Sequence, residues 1–80
     1  GMGIEKAYRG RGLGQELLKA VITYAQEVGL SYIDLGVFHQ NTAAIKLYKS
    51  HGFYEIGRQE DYFRYDGKNI TNILMTLKIS

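Results

Sequence analysis

The sequence predicts an α/β (α+β) domain in the order loop, helix, strand, helix, strand, strand, with two helices and a small mixed sheet. Three observations predict it. A glycine-rich loop runs directly into a helix-period apolar stripe. A short segment of alternating apolar residues follows. An aromatic-rich C-terminal third then folds back at Asp66-Gly67.

From Leu13 onward, Leu17, Leu18, Val21, Ile22, Ala25 and Val28 recur at three- and four-residue spacing, which puts them on one side of an amphipathic helix closed by Gly29. In Tyr32 to Phe38, Ile33, Leu35 and Val37 alternate with Tyr32, Asp34 and Gly36, the period of a strand with at least one buried face. Asn41 or Thr42 then offers a side-chain oxygen as an N-cap. A short helix over Ala43, Ala44, Ile45, Leu47 and Tyr48 follows and stops at Gly52. Phe53 to Tyr65 and Ile70 to Ile79 read as the arms of a hairpin, because Asp-Gly tolerates the positive φ angles of a tight reversal. Tyr54, Tyr62, Phe63 and Tyr65 in that hairpin read as core or interface residues, since extended segments favour aromatics for packing alone.

The chain has 80 residues, no cysteine, no proline and ten glycines, so one compact domain with tight turns is expected, without disulfides or a thiolate metal site. A cytoplasmic location is the default for such a composition. No apolar run approaches the roughly 20 residues of a membrane helix, and no signal pattern opens the chain. Gly1 ahead of Met2 reads as an expression remnant. A net charge of +2, with the basic residues scattered apart from Lys6, Arg9 and Arg11, points to a local anion site and away from a nucleic-acid surface. His39 and His51 lack cysteine or carboxylate neighbours in metal-ligand spacing and read as surface or loop residues, so no metal is assigned.

The most informative segment is Tyr8-Arg9-Gly10-Arg11-Gly12-Leu13-Gly14, with Gln15 next in the helix. Glycine amides and the unpaired N–H groups of a helix start converge there, glycines let a phosphate approach the backbone, and two arginines add charge. A pyrophosphate suits such a cradle. A Walker loop is excluded because Gly14 is followed by Gln15 and Glu16 instead of Lys-Ser/Thr, and the G-x-G-x-G spacing departs from the dinucleotide fingerprint.

Arg9-x-x-Gly12-x-Gly14 resembles the coenzyme-A pyrophosphate signature of the GNAT N-acetyltransferase superfamily. Asn41-Thr42-Ala43-Ala44-Ile45 with Leu47-Tyr48-Lys49 and Gly52-Phe53 is similar to the family's N-x-x-A-I-x-L-Y-x-x-x-G-F segment. The two segments stand in the family's order, separated by one helix and one strand. The resemblance implies acetyl-coenzyme A as co-substrate and an amine as acceptor, the acceptor's identity staying open. It implies that Arg9, Gly10, Arg11, Gly12, Leu13, Gly14 and Gln15 hold the pyrophosphate, and that Asn41 and Tyr48 lie near the pantetheine arm and the reactive sulfur.

Residue chemistry agrees with this. Asn41, Ile45 and Tyr48 fall at i, i+4 and i+7, which on a helix puts them on one face. The resemblance makes Tyr48 the proton source for the departing thiolate. Full transfer from a phenol to a thiolate is uphill by roughly 2 kcal/mol, so hydrogen bonding to the developing charge is the larger expected contribution. Tyr48 is also readable as a core aromatic, and Asn41 as an N-cap, a role compatible with ligand contact.

Relatives of this kind carry strands and helices ahead of the phosphate loop, so residues 1–80 are expected to form a single truncated GNAT domain. The strand leading into the loop is reduced to Gly3 to Lys6, with Lys6 where a proline is common. A non-catalytic coenzyme-A-binding or interaction module, or one piece of a split acetyltransferase, stays open beside the enzyme reading. Family topology further implies the sheet order Tyr32 strand, C-terminal strand, Phe53 strand. That order leaves the Tyr32 strand with a bare edge, which a homodimer or other assembly is expected to cover together with the apolar side of the first helix.

Overall fold

A computed structural model describes residues 13–80 of the chain. The elements are α1 (Leu13–Val28), β1 (Tyr32–Phe38), α2 (Thr42–Ser50), β2 (Tyr54–Tyr65) and β3 (Lys68–Lys78). Arg9, Gly10, Arg11 and Gly12, expected to belong to a pyrophosphate-binding loop, and the short strand expected before them lie outside the described residues.

Both helices stop where glycine permits a left-handed residue. Gly29, at φ +80°, follows α1; its N–H reaches Gln26 O at 3.3 Å, and Leu30 N–H reaches Ala25 O at 2.9 Å. Gly52, at φ +95°, does the same for α2, with Gly52 N–H on Lys49 O and Phe53 N–H on Tyr48 O at 3.0 and 3.1 Å. These paired bonds satisfy carbonyls that a helix end leaves orphaned. They also aim Phe53 inward, where it is buried.

The sheet order is β1-β3-β2, as the family topology implies. Because α2 carries the chain across from β1 to β2, those two strands run parallel to each other. The β2–β3 hairpin then inserts β3 between them, antiparallel to both. Among the described residues both pairings are therefore antiparallel, where a mixed sheet is expected. The hairpin turns on Asp66 and Gly67, both with positive φ (54° and 75°), the two-residue geometry that matches strand twist.

The core is small. Leu18 of α1, Val37 of β1, Phe53, and Ile73 and Met75 of β3 form one buried cluster, with Met75 fully enclosed. Register explains the membership, since Val37 lies opposite Ile73 and Leu35 opposite Met75, on the face that the helices cover. The apolar stripe of α1 divides. Leu18 and Ala25 are buried and Ile22 half-buried, whereas Leu17, Val21 and Val28 are exposed together with Tyr24.

The hairpin aromatics depart from the core reading. Tyr54, Tyr62, Phe63 and Tyr65 are all exposed. Two irregularities explain where they go. Ile56 is an extra residue between the pairs Glu55–Met75 and Gly57–Leu74, and a larger bulge intervenes between Gln59–Asn72 and Phe63–Ile70, with Asp61 at φ 52°. The larger bulge directs Tyr62 and Phe63 toward Phe38, with ring centroids 6.2 and 5.0 Å away.

Candidate functional site

The α1 helix runs antiparallel to β1, so its first turn lies beside the C-terminal end of that strand, where α2 also begins. A cleft of about 700 Å³ opens at this junction. Its floor is apolar, with Leu18, Val37 and Phe53 below, and its walls are Gly14 and Gln15 on one side and Asn41, Leu47 and Tyr48 on the other. Two helix starts thus face one cavity, each presenting the positive end of its dipole.

Of the site residues expected from sequence, Gly14, Gln15, Asn41 and Tyr48 are brought together on this cleft. Leu13 opens α1, and the remaining loop residues fall outside the described part. A Cβ built on Gly14 would meet Leu47 Cδ2 at 3.7 Å, an ordinary contact. Packing among the described residues therefore does not demand glycine there, and Gly14 lines the cleft. Asn41 is the N-cap of α2: its Oδ1 accepts from Ala44 N–H at 3.2 Å. Cap and cleft roles coincide, because the Nδ2 group has no hydrogen-bond partner among the described residues.

Tyr48 is half-buried, its ring tilted at 56° against Phe53 with centroids 5.6 Å apart. It is thus both a packed aromatic and a cleft residue. Ile45 does not join Asn41 and Tyr48 on the cleft. It packs against the buried cluster, while Ala44 takes the lining position. At about 100° per residue, Ala44 and Tyr48 flank one side of the Asn41 direction and Ile45 the other.

The outer edge of β1 completes the site. Val37, Leu35 and Ile33 direct their main-chain groups to β3, since the neighbouring in-phase residues do so: His39 N–H bonds Thr71 O at 2.9 Å and Ile79 N–H bonds Ser31 O at 2.7 Å. Alternation turns the main-chain groups of Asp34 and Gly36 outward. Sequence reasoning did not single out Gly36, although an interior strand glycine signals a close approach. Here a Cβ would lie 2.9 Å from Asn72 Oδ1, and Gly36 also lines the cleft.

A family model described as the acetyltransferase (GNAT) family matches residues 1–53, the segment that supplies α1, β1 and α2. The chain belongs to this family. Among its GNAT relatives, N-alpha-acetyltransferase RimI of Mycobacterium tuberculosis is 36% identical over 82% of this chain and 40% of its own length. The crystal structure of the ribosomal-protein-S18-alanine N-acetyltransferase from Escherichia coli superposes with a TM-score of 0.84 at 35% identity, covering 92% of this chain and 48% of that one. The structure of yncA from Salmonella typhimurium with its cofactor acetyl-CoA gives 0.84 at 30% identity, covering 92% of this chain and 43% of that one. This GNAT chain therefore spans under half the length of each of these relatives.

Acetyl-coenzyme A fits the described residues on chemical grounds. Its pantetheine arm is an extended chain with amide groups, which an open strand edge can pair, and its diphosphate is an anion, which helix starts attract. Among the described residues no group of three or more histidine, aspartate or glutamate side chains is arranged to hold a metal ion.

Proposed function

We propose that this chain binds acetyl-coenzyme A in the cleft between α1, the outer edge of β1 and α2, and that it serves transfer of the acetyl group to an amine. One observation carries the reading: the first turn of α1, the edge of β1 that has no neighbouring strand among the described residues, and Asn41 and Tyr48 line a single cleft. The glycine loop, Arg9 and Arg11 included, is assigned to the pyrophosphate, with Gly14 and Gln15 continuing that contact into the helix. Asn41 Nδ2 is available to a carbonyl of the arm, and the outward main-chain groups of Asp34 and Gly36 to its amides.

In the reaction the amine nitrogen forms a bond to the acetyl carbon, the carbon–sulfur bond breaks, the amine gives up a proton and the thiolate needs one. Tyr48 is assigned to the last task, through a hydrogen bond from its phenol that strengthens as charge develops on sulfur. Calorimetry with coenzyme A tests the binding, and a thiol-release assay with mixed amines tests the transfer. Detectable release that is unchanged in Tyr48→Phe would remove Tyr48 from the chemistry. Binding without release would leave a coenzyme-A-binding module.

We also propose self-association. Tyr24, Val28, Leu30 and Tyr32 are 47–63% exposed and lie outside the cleft, at the opposite end of the α1–β1 surface. A second copy covering these four residues, and not the edge groups of Asp34 and Gly36, would leave the cleft accessible. Sedimentation at micromolar concentration is expected to show a dimer, and a cooperative monomer there would refute this part alone.

A further inference from the structure

At the end of β1 the ladder to β3 contains a substitution. His39 lies opposite Thr71, and His39 N–H donates to Thr71 O at 2.9 Å in the ordinary way. The return bond, from Thr71 N–H, goes to the Nδ1 atom of the His39 imidazole at 3.0 Å, where a regular ladder would use the main-chain carbonyl of His39. The reason is the turn that begins there: Asn41 N–H bonds Phe38 O at 2.9 Å, which makes His39 the first central residue of a reversal and swings its carbonyl out of the sheet. Two residues later Asn41 caps α2 and lines the cleft.

We propose that His39 is a positioning residue for the cleft: its neutral imidazole stands in for the lost carbonyl, pins the end of β1 to β3, and thereby fixes the turn that sets Asn41 on the first turn of α2. The chemistry defines the ring state. A backbone N–H can only donate, so Nδ1 carries a lone pair and the ring proton sits on Nε2. His51 sits at the other end of α2, where its Nδ1 lies 3.1 Å from both Leu47 O and Ser50 Oγ, within its own helix end. The two histidines bracket one helix, and the one at the N-terminal end holds the strand.

The consequence for ligand affinity rests on the coenzyme-A reading; the consequence for the turn does not. Side-chain nitrogen NMR of the full chain is expected to show His39 with a bare Nδ1 and a protonated Nε2. In His39→Ala, exchange of the Thr71 amide is expected to accelerate about fivefold, the effect of losing one ordinary hydrogen bond, and that of the Ala44 amide, which reports the Asn41 cap, by a factor of two or more. His39→Asn places an acceptor oxygen where Nδ1 stands and should restore both amides, along with any coenzyme-A affinity lost in the alanine variant. A proton found on Nδ1, an unchanged Thr71 amide in His39→Ala, or no rescue by asparagine would each overturn the hydrogen-bond role. An unchanged Ala44 amide would overturn the positioning role. Failure of the wild-type chain to bind coenzyme A, with the amide pattern as expected, would refute the functional reading and leave this one standing.

Discussion

Individual side chains in this fold are constrained mostly where the sheet meets polar groups. Asn72 is nearly buried in the central strand, and its Nδ2 donates to Gln59 Oε1 at 2.8 Å. It fits because Gly36 on the neighbouring strand has no side chain: a Cβ there would press on Asn72 at 2.9 to 3.3 Å. Gly36→Ala is therefore expected to displace the amide and destabilise the fold by roughly 1–3 kcal/mol, the range for overpacking a fitted site. Urea denaturation checks this, and in an Asn72→Ala background the same substitution should lose most of its effect, since the atoms it strikes are gone. Equal effects in both backgrounds would mean that the contact with Asn72 is not the cause. Asn41→Ala is expected to destabilise α2 by about 1 kcal/mol through loss of the bond from Ala44 N–H, with Asn41→Asp retaining the cap.

Elements differ in how far the sequence discloses them. Helix ends and the hairpin turn were legible, because Gly29, Gly52 and Asp66-Gly67 act locally and need only their own φ angles. The outward-facing side of α1 was less so: periodicity groups Leu17 and Val21 with Leu18 and Ile22, but how much of a stripe is covered depends on how wide the sheet beneath it is. The bulge around Asp61 was invisible, since it is a property of register between two strands and has no composition of its own. Once formed, it is clasped by Arg64, whose Nε and Nη2 reach both carboxylate oxygens of Asp61 at 3.1 and 3.0 Å. Those hydrogen bonds, aided by the charge of Arg64 and opposed by desolvation, hold the Asp61 carboxyl below the usual aspartate range. The sign follows: a folded-state value below the unfolded one means that the clasp contributes fully above about pH 4 and is lost as pH falls through the folded value. NMR titration should find Asp61 protonating in more acid solution than an unpaired aspartate, and Arg64→Gln should return its midpoint upward. An Asp61 midpoint unaffected by that substitution would mean that the ion pair is not formed in solution.

At the scale of the whole molecule, the cleft and the stability of the fold are coupled. Among the described residues the buried cluster consists of Leu18, Val37, Phe53, Ile73 and Met75, and three of these, Leu18, Val37 and Phe53, also line the cleft. A domain whose core doubles as the floor of its binding site has a low intrinsic stability and a large fractional response to a ligand. A ligand that binds only the folded state adds about 2.7 kcal/mol at a concentration 100 times its Kd, and in a domain of this size each kcal/mol raises the melting temperature by roughly 4–8 °C. Coenzyme A at that excess is thus expected to raise Tm by roughly 10–20 °C, read by thermal denaturation at one protein concentration. Dimerisation makes a different demand: Tm should climb with protein concentration in the absence of ligand, because association also stabilises by mass action. Since Tyr24, Val28 and Tyr32 lie outside the cleft, the two increments should add. Antagonism between them, with coenzyme A lowering the concentration dependence, would mean that the second copy sits over the cleft itself, and the α1–β1 surface would then have to be assigned to one occupant at a time.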